Sequence, residues 1–130
     1  SSDNLEDVYS SRTFCLYEDI EKIKKSGLAK GGSLDNAIVV DKEKVINKEG
    51  LRNDKEFVNH KILDLAGDFL LSGYRVLGKV NCYQGGHNLS NIFLKKLLKS
   101  KSAFTVLELN NIVLPKKINL RQSVKIAVNA

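Results

Sequence analysis

Residues 54–72 read DKEFVNHKILDLAGDFLLS, with Gly73 behind them. Phe57, Leu63, Ala66, Phe69 and Leu70 recur at helical spacing and give the stretch one apolar face. Asp54 has the chemistry of an N-cap, because its side chain can accept from the free N–H groups of a first turn. Gly73 is the residue type that stops a helix. The spacing therefore predicts a helix over about 54–72, and the rest of the fold is read outward from it.

Upstream, Gly31-Gly32-Ser33 precedes Ala37–Val40, a β-branched run that reads as a strand. A second short strand, Lys44 to Ile46, is expected to pair with it across Asp41-Lys42-Glu43. Helical spacing begins near Tyr17, with Leu16, Ile20 and Ile23 on one side, and Gly27 stops it. Residues 1–12 are polar and suit a frayed helix or a linker. Downstream, strand propensity returns at Val76–Tyr83, followed by a Gln84-Gly85-Gly86 turn and a helix from about Asn88 to Lys99. Ala103–Leu109 reads as another strand, Pro115 breaks the pattern, and the tail from Ile118 is left open. This order predicts an α+β fold, a two-layer sandwich of a small β-sheet with helices on one face.

A chain of 130 residues fits a single domain, 1–130, able to bury roughly two thirds of its unfolded surface. No apolar run approaches the ~18 residues of a membrane span, so no integral membrane segment is expected. The polar, acidic start lacks a signal-peptide pattern, and the absence of Met suggests a processed or truncated piece. Cys15 and Cys82 match no ligand spacing and are expected as buried apolar thiols in a reducing cytosol.

The net charge of +6 raises the question of nucleic acid. Its excess lies entirely from Lys95 onward, with eight basic residues against Glu108, while residues 1–94 hold thirteen basic and fourteen acidic side chains. Aromatic residues do not interleave with the basic ones as in a stacking platform. A basic α+β nucleic-acid-binding module without catalysis, of the kind found in ribosomal proteins, is thus the alternative to an enzyme, and no nucleic-acid partner is the leading expectation.

The chemistry-bearing residues sit inside the long helix. His60 and Asp64 are four apart, so they project from one face with Cβ atoms about 5–6 Å apart and can close on one metal ion. Zinc accepts both donor types, and a catalytic site uses three protein ligands with an open position. Asp68 lies one turn further on, and His87 follows a Gly-Gly turn from which it can reach a neighbouring helix. A carboxylate beside that imidazole would hold it as the imidazolium, a general acid. The ordinary alternative is that H-x-x-x-D is a solvated or hydrogen-bonded pair, Lys61 a solvated lysine, and Thr13 and Ser33 local hydrogen-bonding residues.

Several blocks at matching intervals bear on that choice. They are Arg12-Thr13-Phe14, Asp19-Ile20-Glu21, Gly31 to Val39, Gly50-Leu51-Arg52, Glu56 to Asp64, Gly67-Asp68 and Gly86-His87 with the following helix. Over about residues 5–109 the chain resembles the zinc-dependent UDP-3-O-acyl-N-acetylglucosamine deacetylases of lipid A biosynthesis; residues 110–130 match nothing.

The resemblance implies two similar α+β domains, of which this chain is the second, including a β-α-β insert. It implies a Zn2+ cofactor with His60 and Asp64 as ligands, and a third histidine ligand and a glutamate base on an absent first domain. His87, positioned by Asp68, would protonate the leaving nitrogen; Thr13 would stabilise the oxyanion; Lys61 would face polar substrate groups. Phe14, Tyr17, Ile20, Ala29, Gly32, Ser33, Ala37 and Val39 would meet the substrate, most of them along an apolar acyl passage. The implied partners are UDP-3-O-acyl-N-acetylglucosamine and the first domain, and the implied location is the cytoplasm. This chain is expected to be inactive alone. It departs from the family's Tyr-Lys-Ser-Gly-His pattern at Tyr83-Gln84-Gly85-Gly86-His87, losing one positive contact, and Tyr17 is bulkier than the residue often found there.

Overall fold

The computed structural model describes residues 5–107. Their elements run α1 (Leu5–Tyr9), β1 (Thr13–Leu16), a 3-10 turn (Tyr17–Asp19), α2 (Ile20–Lys25), β2 (Ala37–Asp41), β3 (Lys44–Val45), α3 (Glu56–Leu70) and α4 (His87–Lys99). The fold is mixed α+β, as expected. The described residues divide into two compact units, the first up to Asp64 and the second from Leu65, and the boundary falls inside α3.

The first unit carries a three-stranded sheet of order β1-β2-β3. β1 runs parallel to β2 in the register Thr13↔Ala37 to Leu16↔Val40, and the 3-10 turn and α2 form the crossover. The β-α-β expected from the resemblance is thus present. β2 and β3 form the expected hairpin, with Asp41 opposite Lys44 and Lys42 at φ 55° in the two-residue loop. Ile38 and Val39 are buried at the centre of the sheet, worth roughly 1.5–3 kcal/mol each. Buried Asn47 ties β2 to the loop before it. Its Oδ1 accepts from the Val39 N–H at 2.9 Å, and its Nδ2 donates to the Leu34 and Ala37 carbonyls at 2.7 and 2.9 Å.

β1 was not announced by the local sequence pattern. Its four residues show no alternation to announce them, and they are extended because β2, more than twenty residues later, supplies the partner. Phe14 on β1 meets Phe57 on α3 edge-to-face, ring centroids 5.0 Å apart, a pair worth about 0.5–1.5 kcal/mol beyond its burial. The long helix begins at Glu56, and its cap is Asn53 in place of Asp54. Asn53 Oδ1 accepts from the Lys55 N–H at 3.0 Å and from Asn59 Nδ2 at 3.1 Å. Gly73, at φ 79°, follows the helix end as expected.

In the second unit, Phe69 stacks on Phe93 of α4 with centroids 5.7 Å apart, and Leu94 is the buried anchor of that helix. Residues 76–83, expected as a strand, are irregular, with Val76, Leu77, Val80 and Tyr83 exposed. β-branched composition alone does not hold an extended chain without a neighbour to pair with. Ala103 to Leu107 likewise forms no strand, and the remainder of that expected element, with Pro115 and the tail from Ile118, lies outside the described residues. Ala66 and Leu70, assigned to the buried face of the long helix, are exposed, while Glu56 and Asn59 are buried. Cys15 is half-buried and Cys82 exposed, and both are free, so the expectation of two buried thiols fails at Cys82. Among the described residues no helix is long and apolar enough to cross a membrane.

Candidate functional site

Each unit carries one cluster of chemically capable side chains. In the first, one helical turn brings His60 Nε2 to 3.2 Å from Asp64 Oδ1, and both side chains are mostly covered. His60 Nδ1 lies 3.3 Å from the Ser11 carbonyl oxygen. A carbonyl only accepts, so Nδ1 carries the proton, and the Nε2 lone pair of a neutral ring faces the carboxylate. Two electron-rich atoms aimed at one point need a proton or a cation between them. Tetrahedral metal bonds of about 2.0–2.1 Å would separate neighbouring ligand atoms by roughly 3.3–3.4 Å, close to the separation found. The donor types and spacing therefore fit a divalent cation.

They are not a complete set. Among the described residues no group of three or more His, Cys, Asp or Glu side chains is arranged to hold a metal ion.

Phe14 packs against this pair. Its ring is 6.1 Å from that of His60 at 73°, and Lys61 Nζ stands 5.1 Å from its centroid. Lys61 also donates to Asp64 Oδ2 at 2.8 Å, so both oxygens of that carboxylate have cationic or imidazole neighbours. Thr13 is exposed at the head of β1.

Beside Thr13 and Phe14 opens a largely apolar cavity of about 590 Å³. Ile20, Ala29, Gly32, Ser33, Ala37 and Val39 all line it, and so does Cys15. Tyr17 does not; it stands exposed in the 3-10 turn. The cavity wall is held open by close backbone packing. A Cβ at Gly32 would come within 3.2 Å of the Ala29 carbonyl oxygen, and Ala29 itself is held at φ 51°, a conformation costly for a residue with a side chain. Asn36 clamps the same loop, accepting from the Ser33 N–H and donating to the Gly31 carbonyl, both at 2.9 Å.

Beneath the first cluster lies a charged group that the sequence reading did not single out. Glu56 is fully buried and Arg12 nearly so. Arg12 Nε donates to Glu56 Oε1 at 2.9 Å and its Nη2 to Oε2 at 3.2 Å, while its Nη1 reaches Glu49. Burial pushes the Glu56 carboxyl up, but the Arg12 guanidinium and the Arg52 and Arg12 backbone N–H groups outweigh it and hold it at about 2. Bonding to Glu56 raises Arg12 above its ordinary value. A glutamate one turn before the histidine was a signal, since the first turn of a helix favours an acid, but nothing local revealed that its partner was Arg12.

In the second unit Asp68 binds His87. Nδ1 of the ring lies 2.9 and 3.1 Å from the two carboxylate oxygens, Asp68 is largely covered, and the ring is 71% exposed. An ionised carboxylate only accepts, so Nδ1 donates and Nε2 is left toward solvent.

A model of the LpxC family, UDP-3-O-acyl N-acetylglycosamine deacetylase, matches residues 1–99. The chain belongs to this deacetylase family. It is 46% identical over 102 residues to the UDP-3-O-acyl-N-acetylglucosamine deacetylase of Psychrobacter arcticus, covering 78% of this chain and 32% of that protein. The enzyme of the same name from Campylobacter jejuni subsp. doylei is 45% identical over 105 residues, 81% of this chain and 36% of the relative. That of Teredinibacter turnerae is 44% identical over 104 residues, 80% and 34% respectively. The chain thus spans about a third of the length of these deacetylases. The family and its names give no support to the nucleic-acid alternative.

Proposed function

We propose that this chain is the carboxy-terminal catalytic portion of a zinc-dependent deacetylase. It would act on the acetamide of UDP-3-O-acyl-N-acetylglucosamine in lipid A biosynthesis, in the cytoplasm where UDP-sugars are handled. The observation that carries the reading is the convergence of His60 Nε2 and Asp64 Oδ1 at 3.2 Å, with the other ring nitrogen held by the Ser11 carbonyl. Those two residues would hold Zn2+, with a further ligand and a general base supplied by the rest of a full-length enzyme. When bound, the metal supplies Lewis-acid polarisation and a water acidified toward neutrality.

The chain's own residues would meet several of the other requirements. The cavity beside Phe14 would take the acyl chain, because its walls are apolar and its small residues leave the groove open. The exposed hydroxyl of Thr13 would donate to the oxyanion of the tetrahedral intermediate. His87, oriented by Asp68 through Nδ1, would deliver the proton on Nε2 to the departing nitrogen. Lys61, set between Asp64 and the Phe14 ring, would supply a point charge for polar groups of the substrate.

The test is reconstitution. The chain mixed with an amino-terminal fragment of a family member should release acetate from the substrate in a zinc-dependent manner, and His60→Ala should abolish the release. The chain alone should be inactive. Turnover by the chain alone would contradict its incompleteness, and a correctly folded mixture without deacetylation would contradict the assignment.

A further inference from the structure

We infer that Glu56 and Arg12 are positioning residues for His60, and that they act through one peptide group. For its consequences on zinc the inference rests on the ligand assignment above; for its structural claim it does not.

Three backbone groups in the Ser10–Arg12 segment are taken by side chains from residues 52–60. The Ser10 carbonyl accepts from Arg52 Nη1, the Ser11 carbonyl accepts from His60 Nδ1, and the Arg12 N–H donates to Glu56 Oε1 at 3.0 Å. The last two belong to the same peptide unit. A trans peptide is planar, with its N–H and C=O pointing in opposite directions. An N–H held by Glu56 therefore aims the carbonyl away from Glu56, and His60, one helical turn along α3, stands where that carbonyl points.

Glu56 is well placed to hold the plane. Its two oxygens accept from the Arg12 N–H, Nε and Nη2 and from the Arg52 N–H at 2.6–3.2 Å, and it is fully buried. Arg12 is fixed in turn by Glu49 and by the Gly50 carbonyl, which accepts from Nη2 at 2.7 Å. Neither residue of the buried pair touches Asp64 or the point that His60 and Asp64 share. They act by setting which ring nitrogen carries the proton. With the carbonyl in place the proton stays on Nδ1 and the Nε2 lone pair faces Asp64. With the peptide free to rotate, the neutral ring can carry its proton on Nε2, where it blocks that lone pair.

The experiment is long-range ¹H–¹⁵N correlation on the metal-free, ¹⁵N-labelled Asp64→Ala chain, which lacks the carboxylate that would otherwise draw the proton to Nε2, at about pH 8.5, two units above the ordinary histidine value. His60 should appear as the Nδ1–H tautomer in the Asp64→Ala chain; the Nε2–H tautomer there would overturn the inference outright. Glu56→Gln added to the Asp64→Ala chain should give a mixture of tautomers at His60 with His87 unchanged. With Asp64 intact and an amino-terminal fragment of a family member present, Zn2+ titrated against a chromophoric chelator should bind about 10-fold more weakly to Glu56→Gln. If Glu56→Gln does not fold, the apolar double variant Arg12→Met/Glu56→Leu removes both charges together, and the same shift is expected. A folded variant that keeps the Nδ1–H tautomer, with zinc affinity within twofold of the unaltered chain, would reduce the pair to a structural role. If the unaltered chain takes up no zinc even with the amino-terminal fragment present, the ligand assignment fails while the tautomer still decides this claim.

Discussion

The two histidines are held by opposite means. His60 is mostly covered, its Nδ1 fixed by a backbone carbonyl that is itself tied to a fully buried carboxylate. His87 has a largely exposed ring and a single side-chain partner, Asp68. The difference matches the demands of the roles proposed for each, metal ligand for His60 and proton donor for His87. A metal ligand must present one lone pair in one direction, which favours a rigid, buried mount. A proton donor must reach a substrate atom and exchange with solvent, which favours exposure with one orienting contact.

This contrast breaks most strongly at the buried pair. Removing one partner of a buried ion pair leaves an uncompensated charge, so Glu56→Ala or Arg12→Ala should lower unfolding stability by about 3–5 kcal/mol in denaturant titration. A drop below about 1 kcal/mol would mean that the pair is solvated and the mount soft.

Acid should act on the same pair with nearly the same size. Glu56 is held at about 2 against an ordinary 4.5, a folded value below the unfolded one. Its stabilising contribution is therefore fully present above about pH 4.5 and is lost as pH falls toward 2, amounting to about 3 kcal/mol. Glu49, which also faces Arg12, is lowered in the same direction but lies at the surface and adds little. Stability measured from pH 5 to 2.5 should fall steeply in the unaltered chain and much less in the Arg12→Met/Glu56→Leu variant.

The cavity wall sits between the extremes. Asn47→Ala leaves the Val39 N–H and two carbonyls without their side-chain partner, at a cost of about 1–3 kcal/mol, and should weaken uptake of apolar probes by the cavity. At the other end of the scale, His87→Gln should change stability by less than about 0.5 kcal/mol, because the ring is exposed and its pairing is largely solvent-screened. In a reconstituted enzyme that same change should slow turnover about 10²–10⁴-fold.

How much of this the sequence announced depends on how local the cause was. The His60–Asp64 spacing is a property of one helical turn, and the β2–β3 hairpin follows from a β-branched run beside a turn, so both were legible. β1 was not, because its extended form comes from pairing with β2 across a crossover. Residues 76–83 misled in the opposite sense, with strand composition and no strand. Asn53 displaced Asp54 as the cap because two polar residues in succession offer the same chemistry and only the helix start decides between them. Most tellingly, Glu56 looked like an ordinary first-turn acid. Its burial depends on Arg12, forty-four residues earlier, and no periodicity encodes that contact.

The central claim is that His60 and Asp64 aim at a shared cation. Its most direct measurement is a Zn2+ titration of the ¹⁵N-labelled chain, mixed with an unlabelled amino-terminal fragment of a family member, followed at the imidazole nitrogens. The account predicts that His60 Nε2 moves toward a metal-bound shift while Nδ1 keeps its proton, and that Asp64→Asn removes the change. A titration that leaves His60 untouched, or one that shifts only His87, would contradict it.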